Sequence, residues 1–204
     1  MSGRRFDQFR PHPWHGLSFG PDAPGTVEVY VELTPFDTVK YEIDKRTGYL
    51  RVDRPQSSSA LPSTLYGFVP QTYCGERVAA LTPGAERGDG DPLDICVLSE
   101  QRIDRAEILV SARIVGGVQV LDGGEADDKI VAVLSNDPVF ASMSDLTDVP
   151  PAMLRRLVHY FATYKMDVTG GGENPINVIG TYDVAHAHEV MQASIDDYHA
   201  EFVA

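Results

Sequence analysis

Cysteine, tryptophan, positive charge and long apolar runs are all scarce in this 204-residue chain. Its two cysteines, Cys74 and Cys96, are too few for a disulfide framework, and Cys96, inside the apolar run 95–98, reads as a buried thiol. No stretch approaches the roughly 18 consecutive apolar residues of a membrane helix, so no membrane association is expected. Arg4, Arg5 and Arg10 are followed by prolines and polar residues instead of an apolar segment. That pattern does not read as a secretory leader, which makes the cytoplasm the expected location. Lysine and arginine total 17 against 30 aspartates and glutamates, for a formal net charge of −13. Such a balance opposes non-specific nucleic-acid binding, which needs a basic footprint. Neither a Walker A pattern nor a Rossmann glycine fingerprint occurs, so nucleotide and dinucleotide readings lack their phosphate cradle.

What is present is enough for a core. Hydrophobic residues make up 43% of the chain and charged residues 23%, a globular composition at a length suited to one domain over residues 1–204. Residues 1–25, rich in Pro, Gly and His, read as an irregular arm, with Trp14 as its anchor between His12 and His15. Thr26–Leu33 alternates Val27, Val29, Val31 and Leu33 with Glu28, Tyr30 and Glu32, the signature of a half-buried strand. Val39–Ile43 alternates too, which puts Lys40 and Glu42 on one face. After the turn at 45–48, segments 49–52, 65–69, 95–98, 108–115, 118–121 and 130–134 read as further strands, with Gly116-Gly117 separating 108–115 from 118–121. Residues 56–62 and 75–88 read as loops. Short strands at this spacing predict an antiparallel barrel or sandwich. Two helices follow, one with Asp148 as its cap and Leu154, Leu157, Val158 and Phe161 in phase. The other is capped by Asp183, with Val184, Ala187, Met191, Ile195, Tyr198 and Phe202 as its stripe. The glycine-rich stretch 169–173 between them reads as flexible. His186 and His188, two apart, do not share a helix face and read as surface or partly packed groups, not as ligands.

Chemistry concentrates in Asp89-Gly-Asp-Pro-Leu-Asp94, where three carboxylates fall within six residues. Crowded carboxylates raise each other's pKa unless a cation neutralises them, and hard divalent ions take such oxygen ligands. A solvated turn is the plain alternative for this stretch alone. An EF-hand fails, because Leu93 stands at the fifth loop position and Asp94 where glycine is required. A second acidic turn, Asp122-Gly-Gly-Glu-Ala-Asp-Asp-Lys129, has the same character. Lys40 beside Glu42, Arg54 after Asp53, and Tyr164-Lys165 at a helix end are each explicable as surface charge. Taken together they add what phosphoryl transfer needs: carboxylates for metals and cationic or phenolic groups for phosphate oxygens.

In this order, Lys40-Tyr-Glu-Ile-Asp-Lys45, Val52-Asp-Arg54, Tyr66-Gly-Phe68, the Asp89–Asp94 motif, the 122–129 turn and Tyr164-Lys165 resemble the soluble family I inorganic pyrophosphatases. The match runs from about Val29 to Lys165. The resemblance implies a mixed, β-rich α+β fold: a five-stranded OB-like antiparallel barrel with two main flanking helices, in a homo-oligomer that hydrolyses inorganic pyrophosphate with several Mg²⁺ ions per site. By position it makes Asp89, Asp94, Asp122 and Asp127 the principal metal ligands, with Glu32 and Glu42 completing the shell, partly through water. Asp91 becomes the base for the attacking water. Lys40, Arg54, Tyr66, Lys129, Tyr164 and Lys165 become the phosphate-binding set. Glu32 aligns only with a one-residue gap before Lys40.

Two departures stand out. Leu61 and Leu65 replace a tyrosine and an asparagine common around the central tyrosine, and the 75–88 loop and N-terminal arm are long for a compact bacterial member. The residues do not choose among Mg²⁺, Mn²⁺ and Zn²⁺, all of which tolerate carboxylates. A hydrolase of another phosphoanhydride, an OB-like binding module and a non-catalytic cation binder are the rival readings. The first needs a base-stacking pocket and the second needs aromatics on a basic groove. The third leaves the phosphate-binding set without a purpose.

Overall fold

Alternating valines build the first strand, β1 (Thr26–Leu33), yet both of its faces are covered. Tyr30 and Glu32 are buried along with Val27, Val29, Val31 and Leu33, so the half-buried expectation is corrected. Tyr30 packs on Phe68 in a small cluster with Trp14 and Tyr198, and Glu32 closes one wall of a cleft. The computed structural model describes residues 10–56, 59–167, 172 and 174–203. The first nine residues of the arm and nearly all of the 169–173 stretch lie outside that set.

β2 (Val39–Ile43) and β3 (Leu50–Pro55) form a two-stranded ribbon around the 44–49 turn. After β4 (Leu65–Phe68), the segment read as a loop carries a short helix, α1 (Glu76–Leu81), and a two-residue strand, β5 (Arg87–Gly88). The cap of α1 comes from far along the chain. The Asp197 carboxylate accepts the Gly75, Arg77 and Val78 amides at 3.0–3.1 Å. No local pattern reveals a cap supplied from 120 residues away.

β6 (Asp94–Leu98) is followed by β7 (Ile108–Asp122), a single fifteen-residue strand where two were expected. Gly116 and Gly117 do not end it. The register against its neighbour shifts there, and Gly117 leaves room for the Tyr182 ring, which a Cβ would meet at 2.2 Å. β8 (Glu125–Ala126) and β9 (Lys129–Leu134) complete this half.

The ladder runs β1–β4–β6–β9–β7, and β7 pairs again with β1. Among the described residues, two pairings depart from the antiparallel expectation: the short β5 and β8 are parallel, and so are β6 and β9, with Asp94 opposite Lys129. α2 (Pro151–Thr163) begins at its own proline. The expected cap, Asp148, instead completes a capping box with Asp145 in the preceding 3₁₀ turn Leu146–Asp148. A strand absent from the sequence reading, β10 (Ile176–Tyr182), pairs with the far half of β7. α3 (Val184–Phe202) is capped by Asp183 as expected, so the described residues form three α-helices where two were expected.

β6 and β9 are apolar on both faces, as strands covered on both sides must be. Ile95, Val97, Ile130 and Ala132 face one core with Val190, Met191 and Ile195 of α3. Cys96, Leu98, Val131 and Val133 face another with Leu157, Tyr160 and Phe161 of α2. Trp14 anchors the arm as expected, being buried with its indole donating to the Thr72 carbonyl at 2.7 Å. Gly67 permits the close β1–β4 approach, because a Cβ there would lie 1.9 Å from the Tyr30 carbonyl oxygen. Gly67→Ala is therefore expected to cost about 3 kcal/mol by overpacking, read from urea unfolding. An unchanged midpoint would show that β4 can move away freely. Among the described residues, no helix is long and apolar enough to cross a membrane.

Candidate active site

Strand ends and tight turns converge on a cleft of about 450 Å³. The parallel register sets Asp94 and Lys129 side by side at the starts of β6 and β9. The Lys129 ammonium, almost wholly buried, contacts both the Asp94 and Asp127 carboxylates. From β4, the Tyr66 hydroxyl donates to Asp94. Gly90, with φ of +73°, turns the acidic motif so that the Asp91 amide donates to Asp89 Oδ1 at 2.9 Å. The same turn is fastened behind by the Leu93 amide on Thr72 Oγ1 at 2.9 Å and the Cys74 amide on the Asp91 carbonyl at 2.8 Å.

The remaining walls come from three places. β1 contributes Glu32, whose Oε1 accepts the Ile43 amide at 2.7 Å. β2 contributes Lys40 and Glu42, 3.1 Å apart as period two requires, and Lys40 also lies 3.2 Å from Asp53. The end of α2 delivers Tyr164 and Lys165, and Lys165 pairs with Asp122 at the end of β7.

Every expected site residue lines this cleft except Arg54. Its guanidinium pairs with Asp53 and sits 6.0 Å from the Tyr164 ring centroid, at the margin of the site. Asp44, Lys45, Arg51 and Glu125 line the cleft without having been expected to. Lys45, the most consequential, pairs with Asp91. It lies just past β2 in a turn, where alternation no longer says which way a side chain points. Leu61 and Leu65 do not line the cleft: Leu65 belongs to the first core and Leu61 is exposed elsewhere. His186 also stands apart from it, paired with Glu189 at 3.3 Å.

Charge in the cleft is unbalanced, with nine carboxylates against five cations. Burial, and then the nearby Asp127, push the Asp89 carboxyl up to about 9. Burial, and then Asp94, raise Glu32 to about 8. Burial also drives Asp127 upward. At Lys129 burial opposes the charge, but Asp127 and Asp94 outweigh it and hold the ammonium well above its ordinary range. Tyr66 and Tyr164 are pushed up chiefly by burial and stay protonated.

The donor set suits a hard divalent cation. Its donors are oxygens, they exceed the available countercharge, and buried carboxylates of raised pKa are relieved by added positive charge. Among the described residues, no three acidic, histidine or cysteine side chains meet at one point. Lysines neutralise the acids instead, Lys129 on Asp94 and Asp127, Lys165 on Asp122, Lys45 on Asp91.

A family model described as inorganic pyrophosphatase matches residues 29–199. The chain is 44% identical over 195 residues to an inorganic pyrophosphatase of Chlamydia muridarum, covering 92% of this chain and 93% of that protein. A soluble inorganic pyrophosphatase of Zea mays is 37% identical over 188 residues, covering 92% and 79%. Among solved structures, the inorganic pyrophosphatase of Thermus thermophilus superposes with a TM-score of 0.77 at 29% identity, over 93% of this chain and 99% of that one.

Proposed function

Because this chain belongs to the inorganic pyrophosphatase family, we propose that it hydrolyses pyrophosphate to two phosphates in this cleft, with Mg²⁺ as cofactor and Asp91 as base. The observation that carries the proposal is the convergence of the carboxylates with Lys40, Lys129, Lys165, Tyr66 and Tyr164 in a single cleft. Asp89, Asp94, Asp122 and Asp127, with Glu32 and Glu42, would hold the ions, whose chemistry there is to offset the substrate's charge and acidify water.

The chain's own groups account for the rest. Asp91 stands on the fastened turn that lines the cleft, its side chain 46% exposed, with Oδ1 enclosed beside Lys45. Its carboxylate takes the proton as the water oxygen attacks one phosphorus and the bridging P–O bond breaks. Lys40, Lys129 and Lys165 neutralise charge gathering on the departing phosphate, with Arg54 reaching in from the margin. Tyr66 and Tyr164, kept protonated by burial, donate to phosphate oxygens. An acidic cleft that needs metal to accept an anion makes activity strictly dependent on the cation. We also read the β1–β4–β6–β9–β7 circuit as an OB-like barrel. On the same reading it anchors a single domain, because both cores share β6 and β9.

Phosphate release from pyrophosphate in excess Mg²⁺ tests the proposal. Rapid release is expected, abolished by EDTA and restored when Mg²⁺ is returned. Folded protein that releases no phosphate with Mg²⁺ present would overturn it.

A further inference from the structure

Among the described residues, the Asp91 carboxylate meets one cation, Lys45. That lysine sits on a turn built to hold it. Asp44 Oδ1 accepts from the Thr47 amide at 2.9 Å and its hydroxyl at 2.8 Å, while Asp44 Oδ2 takes Arg51 at 3.0 Å. Gly48, at φ +73°, closes the turn with its amide on the Asp44 carbonyl at 2.8 Å.

The N-terminal arm grips this turn from outside. His12 Nδ1 accepts the Trp14 and His15 amides at 3.2 and 3.4 Å. Nε2 therefore carries the proton, which it donates to the Lys45 carbonyl at 3.1 Å. The arm also lies so close to Gly48 that a Cβ there would come within 2.7 Å of Pro13 Cδ and 3.0 Å of His12 Cδ2. Its other attachment is to the Asp91 side of the cleft. The Trp14 indole donates to the Thr72 carbonyl, and Thr72 Oγ1 receives the Leu93 amide two residues beyond Asp91. The Gln71 amide returns a bond to the Trp14 carbonyl at 2.8 Å. Through His12 and Trp14 the arm thus brackets both members of the Lys45–Asp91 pair.

We propose that Lys45 is a positioning residue that orients the Asp91 carboxylate, and that His12 of the N-terminal arm in turn positions Lys45. The proposal rests on the reading of Asp91 as the base. It makes the arm part of the active site instead of a separate appendage. The consequence differs from that of a phosphate contact. Loss of a group that orients the base lowers kcat and leaves KM largely alone, whereas loss of a uniform substrate contact raises KM.

Steady-state kinetics of Lys45→Ala, Lys45→Arg, His12→Ala, His12→Gln, Asp91→Asn and the double variants test it, with thermal unfolding as the check on folding. Lys45→Ala is expected to lower kcat about 10- to 100-fold, the scale of a misplaced reacting group, with KM within about twofold. Lys45→Arg and His12→Gln, which keep the charge and the N–H donor, recover most of the activity. His12→Ala lowers kcat less, and has no added effect once Lys45 is alanine, as coupling through one contact requires. In the Asp91→Asn background, Lys45→Ala changes nothing further. Full kcat in Lys45→Ala, or a rise in KM alone, overturns the role of Lys45. Independent, multiplying effects of His12→Ala and Lys45→Ala overturn the role of the arm. A fully active Asp91→Asn would instead bring down the base assignment, so the two failures are separable.

Discussion

Asp91→Asn is expected to cut kcat for pyrophosphate by about 10²- to 10⁴-fold, the usual contribution of a positioned base, while moving stability by less than about 0.5 kcal/mol. The separation follows from where the side chain sits. The turn is held by main-chain bonds that asparagine keeps, from the Asp91 amide to Asp89 and from the Cys74 amide to the Asp91 carbonyl. The Asp91 side chain lines the cleft half-exposed, and among the described residues its ionic partner is Lys45, itself exposed. An exposed pair of this kind adds little to stability. An amide of the same shape cannot accept a proton at neutral pH, so only the chemistry is removed. Rates under saturating substrate and Mg²⁺, beside urea unfolding of both proteins, decide the matter. A variant with near-normal kcat would leave the base to be sought elsewhere in the cleft. A variant that no longer folds would show that the turn depends on this carboxylate after all.

What could be read from the sequence divides along the reach of the forces involved. The Asp89–Asp94 and 122–129 clusters were legible because carboxylate density and turn glycines are local, and the Lys40–Glu42 pair because alternation is local. The placement of Glu32 was legible only through resemblance, since β1 reads as a half-exposed strand until Tyr30 finds Phe68 and Glu32 finds the Ile43 amide. Long-range closure hid the rest. The parallel β6–β9 register that joins Asp94 to Lys129 has no local signature. The alternation of β10 is weak in the sequence because its covered face includes Gly180 and its open face carries Ile179, 40% exposed. Gly116-Gly117 suggested a break, but these glycines are the price of admitting Tyr182 against a continuous strand. Lys45 closes the Lys40–Lys45 motif, but β2 ends at Ile43 and alternation assigns the lysine no direction. Its function is defined by Asp91, Gly48 and an arm residue more than thirty positions upstream.

The second large effect is expected at Lys129, where folding and chemistry share one side chain. Lys129→Met keeps most of the buried stem and removes the ammonium, which leaves the Asp94 and Asp127 carboxylates without their common partner. Breaking one side of a buried ion pair typically costs about 3–5 kcal/mol, and that loss is expected at pH 7 without metal. Its pH dependence follows from the protons bound. Burial already raises the Asp127 carboxyl in the wild-type fold, and removing the lysine raises it further. Between the ordinary carboxyl value and that raised one, the folded variant binds more protons than the unfolded chain, so its stability falls as pH rises through the window. Acidification from pH 7 to 5 should therefore shrink the difference from wild type, whose Lys129 stays charged throughout that range. Millimolar Mg²⁺ should shrink it too, because the carboxylates left without Lys129 gain more from an added cation than the already neutralised pair of the wild type, and the tighter site stabilises more by mass action. Urea midpoints for both proteins at pH 5, 6 and 7, with and without Mg²⁺, read all of this. A deficit independent of pH and of Mg²⁺ would mean that Lys129 acts through its ammonium over the Phe161 ring, and that it does not hold the acidic cleft together.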